Sequence, residues 1–185
     1  MRRLNEKRIL TTFILLLFIL MPGYSQVGQY TVKAVFLEKF TRFIDWPDET
    51  GISDITKPFI LGVIGENPFG DTLSTLYADQ NIKSKRVEIR MVKNVGEICG
   101  CHLLFISGSE KKNLSKILDY TRGKPILTIG DTDKFADMGV LINFYLSSGK
   151  VRFEVNESAV RESGLHFSYL LLNFAKIVKP ARSER

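Results

Sequence analysis

From residue 30 onward the apolar positions fall into short runs whose spacing keeps changing, and each change marks an element. Val32, Phe36, Phe40 and Phe43 recur at intervals of three or four across 30–45, with Lys33, Lys39 and Arg42 off that stripe. That spacing predicts an amphipathic helix. Trp46-Pro47 ends it, because the residue before a proline avoids helical backbone. The polar stretch 48–57 leads to Phe59–Ile64, a continuous apolar run of the kind buried on both faces of a sheet. After a turn at 65–68, residues 69–81 read as a helix with Leu73, Leu76 and Tyr77 inward. Val87–Val92 alternates, Val87, Ile89 and Met91 against Glu88 and Arg90, as an edge or half-covered strand does. Leu103–Ile106 is again wholly apolar. A helix then runs to Arg122 with Leu114, Ile117 and Leu118 inward, followed by a buried strand at Pro125–Ile129 and a short helix near Lys134–Met138.

Beyond residue 139 the rhythm shifts. Val140–Leu146 and Val151–Asn156 flank Ser147-Ser148-Gly149-Lys150, which is a hairpin signal. The last segment reads as a short helix from Glu157, a stop at Gly164, and a second helix from Ser168 to Val178 with Ser168 as its N-cap. One helix passing through Gly164 is the competing reading. Alternating strands and helices predict an α/β fold, because right-handed crossovers place helices on both faces of a parallel sheet. The expected architecture is a three-layer α/β/α sandwich, Rossmann-like, with a mostly parallel sheet and a C-terminal antiparallel hairpin. One domain covers residues 28–180, with no internal repeat.

Composition adds the compartment. Met1–Arg8 holds four basic residues and one acidic residue, and Ile9–Met21 is an apolar run of 13 broken by Thr11 and Thr12. A run this short suits a signal-peptide core, whereas crossing a bilayer takes about 20 residues. Gly23 and Ser25 put small residues before a cleavage at Gln26, so residues 1–25 are expected to be a cleaved leader, with an uncleaved anchor as the alternative. Removing them takes four basic and one acidic residue from totals of 26 and 20, leaving 22 and 19 and a charge of +3. That excess, on an exported chain with no second hydrophobic span, argues against nucleic acid as a partner. The expected location is the periplasm.

The residues give little chemistry. In open sheets of this kind ligands sit beyond the carboxyl ends of the strands. Three loops there carry the candidate cleft residues Asn67, Phe69, Ser107, Ser109, Glu110, Asp131 and Thr132. The same residue types also serve as turn formers and caps. Gly65–Gly70 has neither the Gly-x-Gly-x-x-Gly fingerprint nor a phosphate loop, and Ser107-Gly108-Ser109 is not a nucleophile elbow. His102 stands at the start of a strand, away from these loops, so no metal site, cofactor or catalytic residue is expected and the chain reads as a non-enzyme. Cys99 and Cys101 are redox candidates in an oxidising compartment: they would close a small strained ring, or Cys101 serves as a small hydrophobe in a buried strand. Phe36, Phe40, Phe43 and Trp46 exceed what one helix face needs and are candidates for a partner surface.

Several stretches together resemble the YfiR-like periplasmic proteins. They are Tyr30–Leu37 with Phe40, Phe43 and Ile44-Asp45-Trp46-Pro47; Phe59–Gly65 with Pro68-Phe69-Gly70; Cys101–Ser107; Ile126–Asp131; Val151–Asn156; and the ending Gly164-Leu165, Ser168, Leu171-Leu172 and Ala175–Val178. The resemblance spans the mature chain in order. It implies an exported regulatory protein that docks on the periplasmic domain of an inner-membrane signalling protein of the diguanylate cyclase type, lowering cyclic-di-GMP output. It also implies a homodimer and redox-responsive disulfides. Cys101 matches a family cysteine, but no distant cysteine is present to pair with it. The alternative function is a small-solute-binding protein using the strand-end cleft.

Overall fold

The computed structural model describes residues 23–179, with side chains from residue 28. The expected leader lies outside the described residues except for Gly23–Ser25, which open the first helix, α1 (Gly23–Thr41). Then follow β1 (Ile44–Asp45), β2 (Phe59–Ile64), α2 (Thr72–Tyr77), β3 (Val87–Val92), β4 (Leu103–Ile106), α3 (Leu114–Thr121), β5 (Leu127–Gly130) and α4 (Phe135–Met138). The chain closes with β6 (Ile142–Ser147), β7 (Lys150–Asn156), α5 (Glu157–Glu162), β8 (His166–Phe167), α6 (Tyr169–Phe174) and β9 (Lys176–Val178).

Seven strands form one sheet in the order β3-β2-β4-β5-β6-β7-β9. The first five are mutually parallel, β7 returns antiparallel in a hairpin with β6, and β9 lies parallel to β7. The α/β sandwich read from the sequence is therefore the fold. Alternation along the central strands explains why they are apolar throughout. Leu61, Val63, Leu103, Phe105, Leu127 and Ile129 pack toward α1 and α2, whereas Ile60, Ile64, Leu104, Ile106 and Ile126 pack toward α3 and α4.

Two expectations need correcting. The buried face of α1 is Lys33, Ala34, Leu37, Phe40 and Thr41, and Val32 is 44% exposed, so the stripe is rotated from the one its aromatics suggest. Residues 176–178 are not the end of a helix: β7 supplies backbone partners at Glu154, Val155 and Asn156 and draws them into a strand. A two-stranded sheet, absent from the sequence reading, pairs Ile44 with Phe167 and Asp45 with His166. The segment 48–57 is tied down by Lys85, whose fully buried side chain donates its ammonium hydrogens to the carbonyls of Gly51 and Asp54.

Candidate functional site

The order of the five parallel strands reverses between β2 and β4, and the crevice outside their carboxyl ends is where doubly wound sheets hold ligands. A cleft of about 480 Å³ opens there. Asn67 and Glu66 after β2, Ser107 and Ser109 after β4, and Asp131 and Thr132 after β5 line it, with Tyr30 and Lys33 from α1 and Tyr145 and Leu146 from β6. The first two loops touch because of Gly65. Its φ is +90°, and a Cβ there would press into Ser109 Oγ and stand 2.8 Å from Glu110 Cγ. The Glu66 N–H can thus donate to Ser109 Oγ at 2.9 Å.

One wall of the cleft is charged and nearly dry. Lys33 Nζ donates to Asp131 Oδ2 at 2.6 Å, and both side chains are under a tenth exposed. The Tyr30 hydroxyl donates to the same oxygen at 2.7 Å, and the Lys33 ammonium sits 4.1 Å from the centre of the Tyr30 ring. Burial, and then the hydrogen bond to Asp131, hold the Tyr30 hydroxyl far above its ordinary range, so it keeps its proton. The arrangement can hydrogen-bond a small polar molecule between fixed charges and serine and threonine hydroxyls. It places no histidine or cysteine among the lining residues to activate one of them.

Five of the sequence candidates, Asn67, Ser107, Ser109, Asp131 and Thr132, line this one cleft. Asn67 is committed to its own loop, accepting from the Phe69 N–H and donating to the Gly70 carbonyl, both at 3.0 Å. Phe69 is not a lining residue: its ring is buried between Tyr30 and Phe105, whose centroids lie 5.3 and 4.7 Å away. Glu110 is turned aside to Asn113, whose amide donates to it at 2.9 Å. Lys33 escaped sequence reasoning because a lysine off an apolar stripe reads as solvated, and its partner is 98 residues away.

The aromatic surface expected on α1 is also largely corrected. Phe40 and Trp46 are 1% and 6% exposed: Phe40 packs on Phe144 and Phe153, and Trp46 stands edge-on to Phe59. Phe36 is half-buried against Phe40, Phe144 and Phe153, which leaves Phe43 as the exposed one of the four. Exposed apolar surface instead gathers at the other end of the chain. On α6, Tyr169, Leu170 and Phe174 are 84%, 59% and 80% exposed, and Ile177 follows on β9 at 38%. The signal was the run Tyr169–Leu172 with Phe174, apolar around more of a helix than one core face requires.

Cys99 is exposed and Cys101 buried, and both are free thiols. Burial raises the Cys101 pKa despite the neighbouring Arg90, which leaves little thiolate at neutral pH. His102 lies at the far end of the sheet, stacked on Phe59, and its Nδ1 accepts from the Ile60 N–H at 3.0 Å. Among the described residues there is no cluster of three or more metal-ligating side chains, and no helix is long and apolar enough to cross a membrane.

Two solved structures overlap this fold loosely. The ABC domain in complex with L-Trp from Streptococcus pneumonia is 9% identical, with a TM-score of 0.49 over 65% of this chain and 55% of that one. A bifunctional 5,10-methylenetetrahydrofolate dehydrogenase/cyclohydrolase from Thermoplasma acidophilum is 10% identical, with a TM-score of 0.24 over 85% and 48%. This chain thus spans about half the length of each, and neither overlap bears on its function. The sequence match is far more extensive: residues 30–176, which reach from the cleft tyrosine to the start of β9, fit the YfiR/HmsC-like family, and the chain belongs to that family of periplasmic regulatory proteins.

Proposed function

We propose that the protein is an exported regulator that docks on the periplasmic domain of a membrane signalling protein of the diguanylate cyclase type and sets its output. The observation that carries this reading is the exposed apolar face of α6 and β9, where Tyr169 and Phe174 stand four-fifths or more in solvent. Contiguous large apolar groups left open in this way are uncommon on a protein surface unless something covers them. Aromatic side chains are also the residues enriched where partners meet.

The test is to delete the gene and measure cyclic-di-GMP, then restore it with the wild type or with Tyr169→Ser/Phe174→Ser. The wild type returns the nucleotide to its original level, and the double variant, folded and exported, does not. An unchanged level on deletion would sink the reading. A second reading, the capture of a small polar solute, is favoured by the Lys33–Asp131 pair in the cleft wall. A solute that raises the melting temperature of the wild type but not of Ser109→Ala would support it.

A further inference from the structure

We infer that the outer edge of β9 is a receptor for an extended, acidic strand of another protein, which adds to the sheet beside Lys176–Val178. This rests on the docking reading above and supplies its geometry. Among the described residues β9 has β7 on one side and no strand on the other, so alternate residues turn their N–H and C=O groups outward. Edges of this kind are templates for pairing, and proteins commonly dress them with charge. The opposite edge follows that rule. On β3, Glu88 and Arg90 alternate with the apolar positions, and Arg90 is held by both Glu88 and the Cys99 carbonyl. β9 likewise sets Lys176 beside an exposed apolar residue, Ile177, as β3 leaves Met91 exposed, and it adds Phe174 before it on the same open stretch.

Charge selects the occupant. Residues 163–179 contain Lys176 and Lys179 and no acidic residue. On the neighbouring strand Lys150 and Arg152 are exposed. Glu154, the register partner of Lys176, is already spent: its two oxygens accept from Asn143 at 3.1 Å and from Lys176 at 3.0 Å. Asp137 on α4 adds a smaller attraction at Lys176 than Glu154 does. A second copy is the poorer fit. Antiparallel self-pairing centred on Ile177 sets Lys176 opposite Val178 and Lys179 opposite Ala175, so it joins two basic edges and brings no free carboxylate from residues 163–179 of either copy. A strand alternating apolar and acidic residues answers both features. Its backbone pairs with β9, its apolar side chains cover Ile177, and its carboxylates fall on the other face, which carries Lys176, Arg152 and Lys150, the division of labour typical of strand addition.

The test uses the intact protein labelled with ¹⁵N and a short synthetic peptide alternating valine and glutamate. Controls are the valine–lysine counterpart and the glutamate peptide with alternate amides N-methylated. The expected result is slowed amide exchange confined to residues 175–179 with the glutamate peptide, by roughly tenfold or more at saturation. Affinity falls as salt rises, and neither control protects. Equal protection by the lysine peptide overturns the charge argument, and equal protection by the N-methylated peptide overturns strand pairing. Protection that rises with protein concentration alone means a second copy occupies the edge and also overturns the inference. None of these failures touches the regulatory reading, which stands or falls on cyclic-di-GMP in the deletion strain.

Discussion

Removing the ammonium from Lys33 tests the charged wall of the cleft most directly. In Lys33→Met the chain keeps its volume and helix propensity, but Asp131 is left with a carboxylate under a tenth exposed and only the Tyr30 hydroxyl on its Oδ2. Breaking a buried pair by removing one partner costs about 3–5 kcal/mol, because the remaining charge is stranded. Tyr30 still donates and the cleft opens on one side, so the low end, about 3 kcal/mol, applies here. For a chain of this size each kcal/mol moves the melting temperature by about 2–4 °C, so the expected drop is about 6–12 °C. Thermal unfolding followed by circular dichroism reads it, and Lys33→Met/Asp131→Leu completes the cycle. With no charge left to strand, the double variant should recover about 2 kcal/mol of the summed single losses. Single losses below about 1 kcal/mol, or strict additivity, would refute the reasoning and show that the pair is solvated like a surface bridge.

Three further outcomes follow from other parts of the fold. Phe40→Glu should fail to fold, since it buries an unpaired charge among Phe36, Phe144 and Phe153, whereas Phe174→Glu should melt within about 1 kcal/mol of wild type. Parallel melts of the two separate core from surface, and a folded Phe40→Glu would contradict the packing. His102 titrates below its ordinary 6.5, chiefly through burial and then through the charge of Lys85. A depressed histidine contributes stability that is complete above the unfolded value and lost as pH falls through the folded one. Urea midpoints should therefore decline below about pH 6.5, and His102→Asn, whose Oδ1 can replace the acceptor for Ile60, should flatten that decline. Lys85→Met should release the 51–57 segment to limited proteolysis before the rest of the chain is cut, and equal resistance to wild type would show that the lysine clasp does not hold it.

How much of this was visible beforehand depended on whether the determinant was local. β2 and β4 are apolar on both faces and β3 alternates, so their type and bounds could be read directly. The three loops of the cleft followed from the sheet, and residues of all three line it together. What periodicity could not show was anything set by a distant partner. Lys33 is drawn inward by Asp131, which rotates α1 so that Val32 faces out. Lys176-Ile177-Val178 would extend a helix on propensity, and becomes a strand because β7 offers an open edge. Of the surplus aromatics, Phe36 and Phe40 fill the space under β6 and β7 and Trp46 packs on Phe59, which leaves Phe43 in solvent.

The small ladder between β1 and β8 sets an order of events. Ile44 emerges early and finds Phe167 only after more than a hundred further residues have been made and delivered. A chain made from its N-terminus therefore keeps the exit of α1 unlatched until nearly the whole domain has been synthesised. Such late, non-local closure slows folding and lengthens exposure to proteases. It also means that a copy lacking its last twenty or so residues loses β8, α6 and β9 together. Such a copy, without the exposed apolar face of α6 and β9, would therefore be the form least able to latch shut and the first to be cleared.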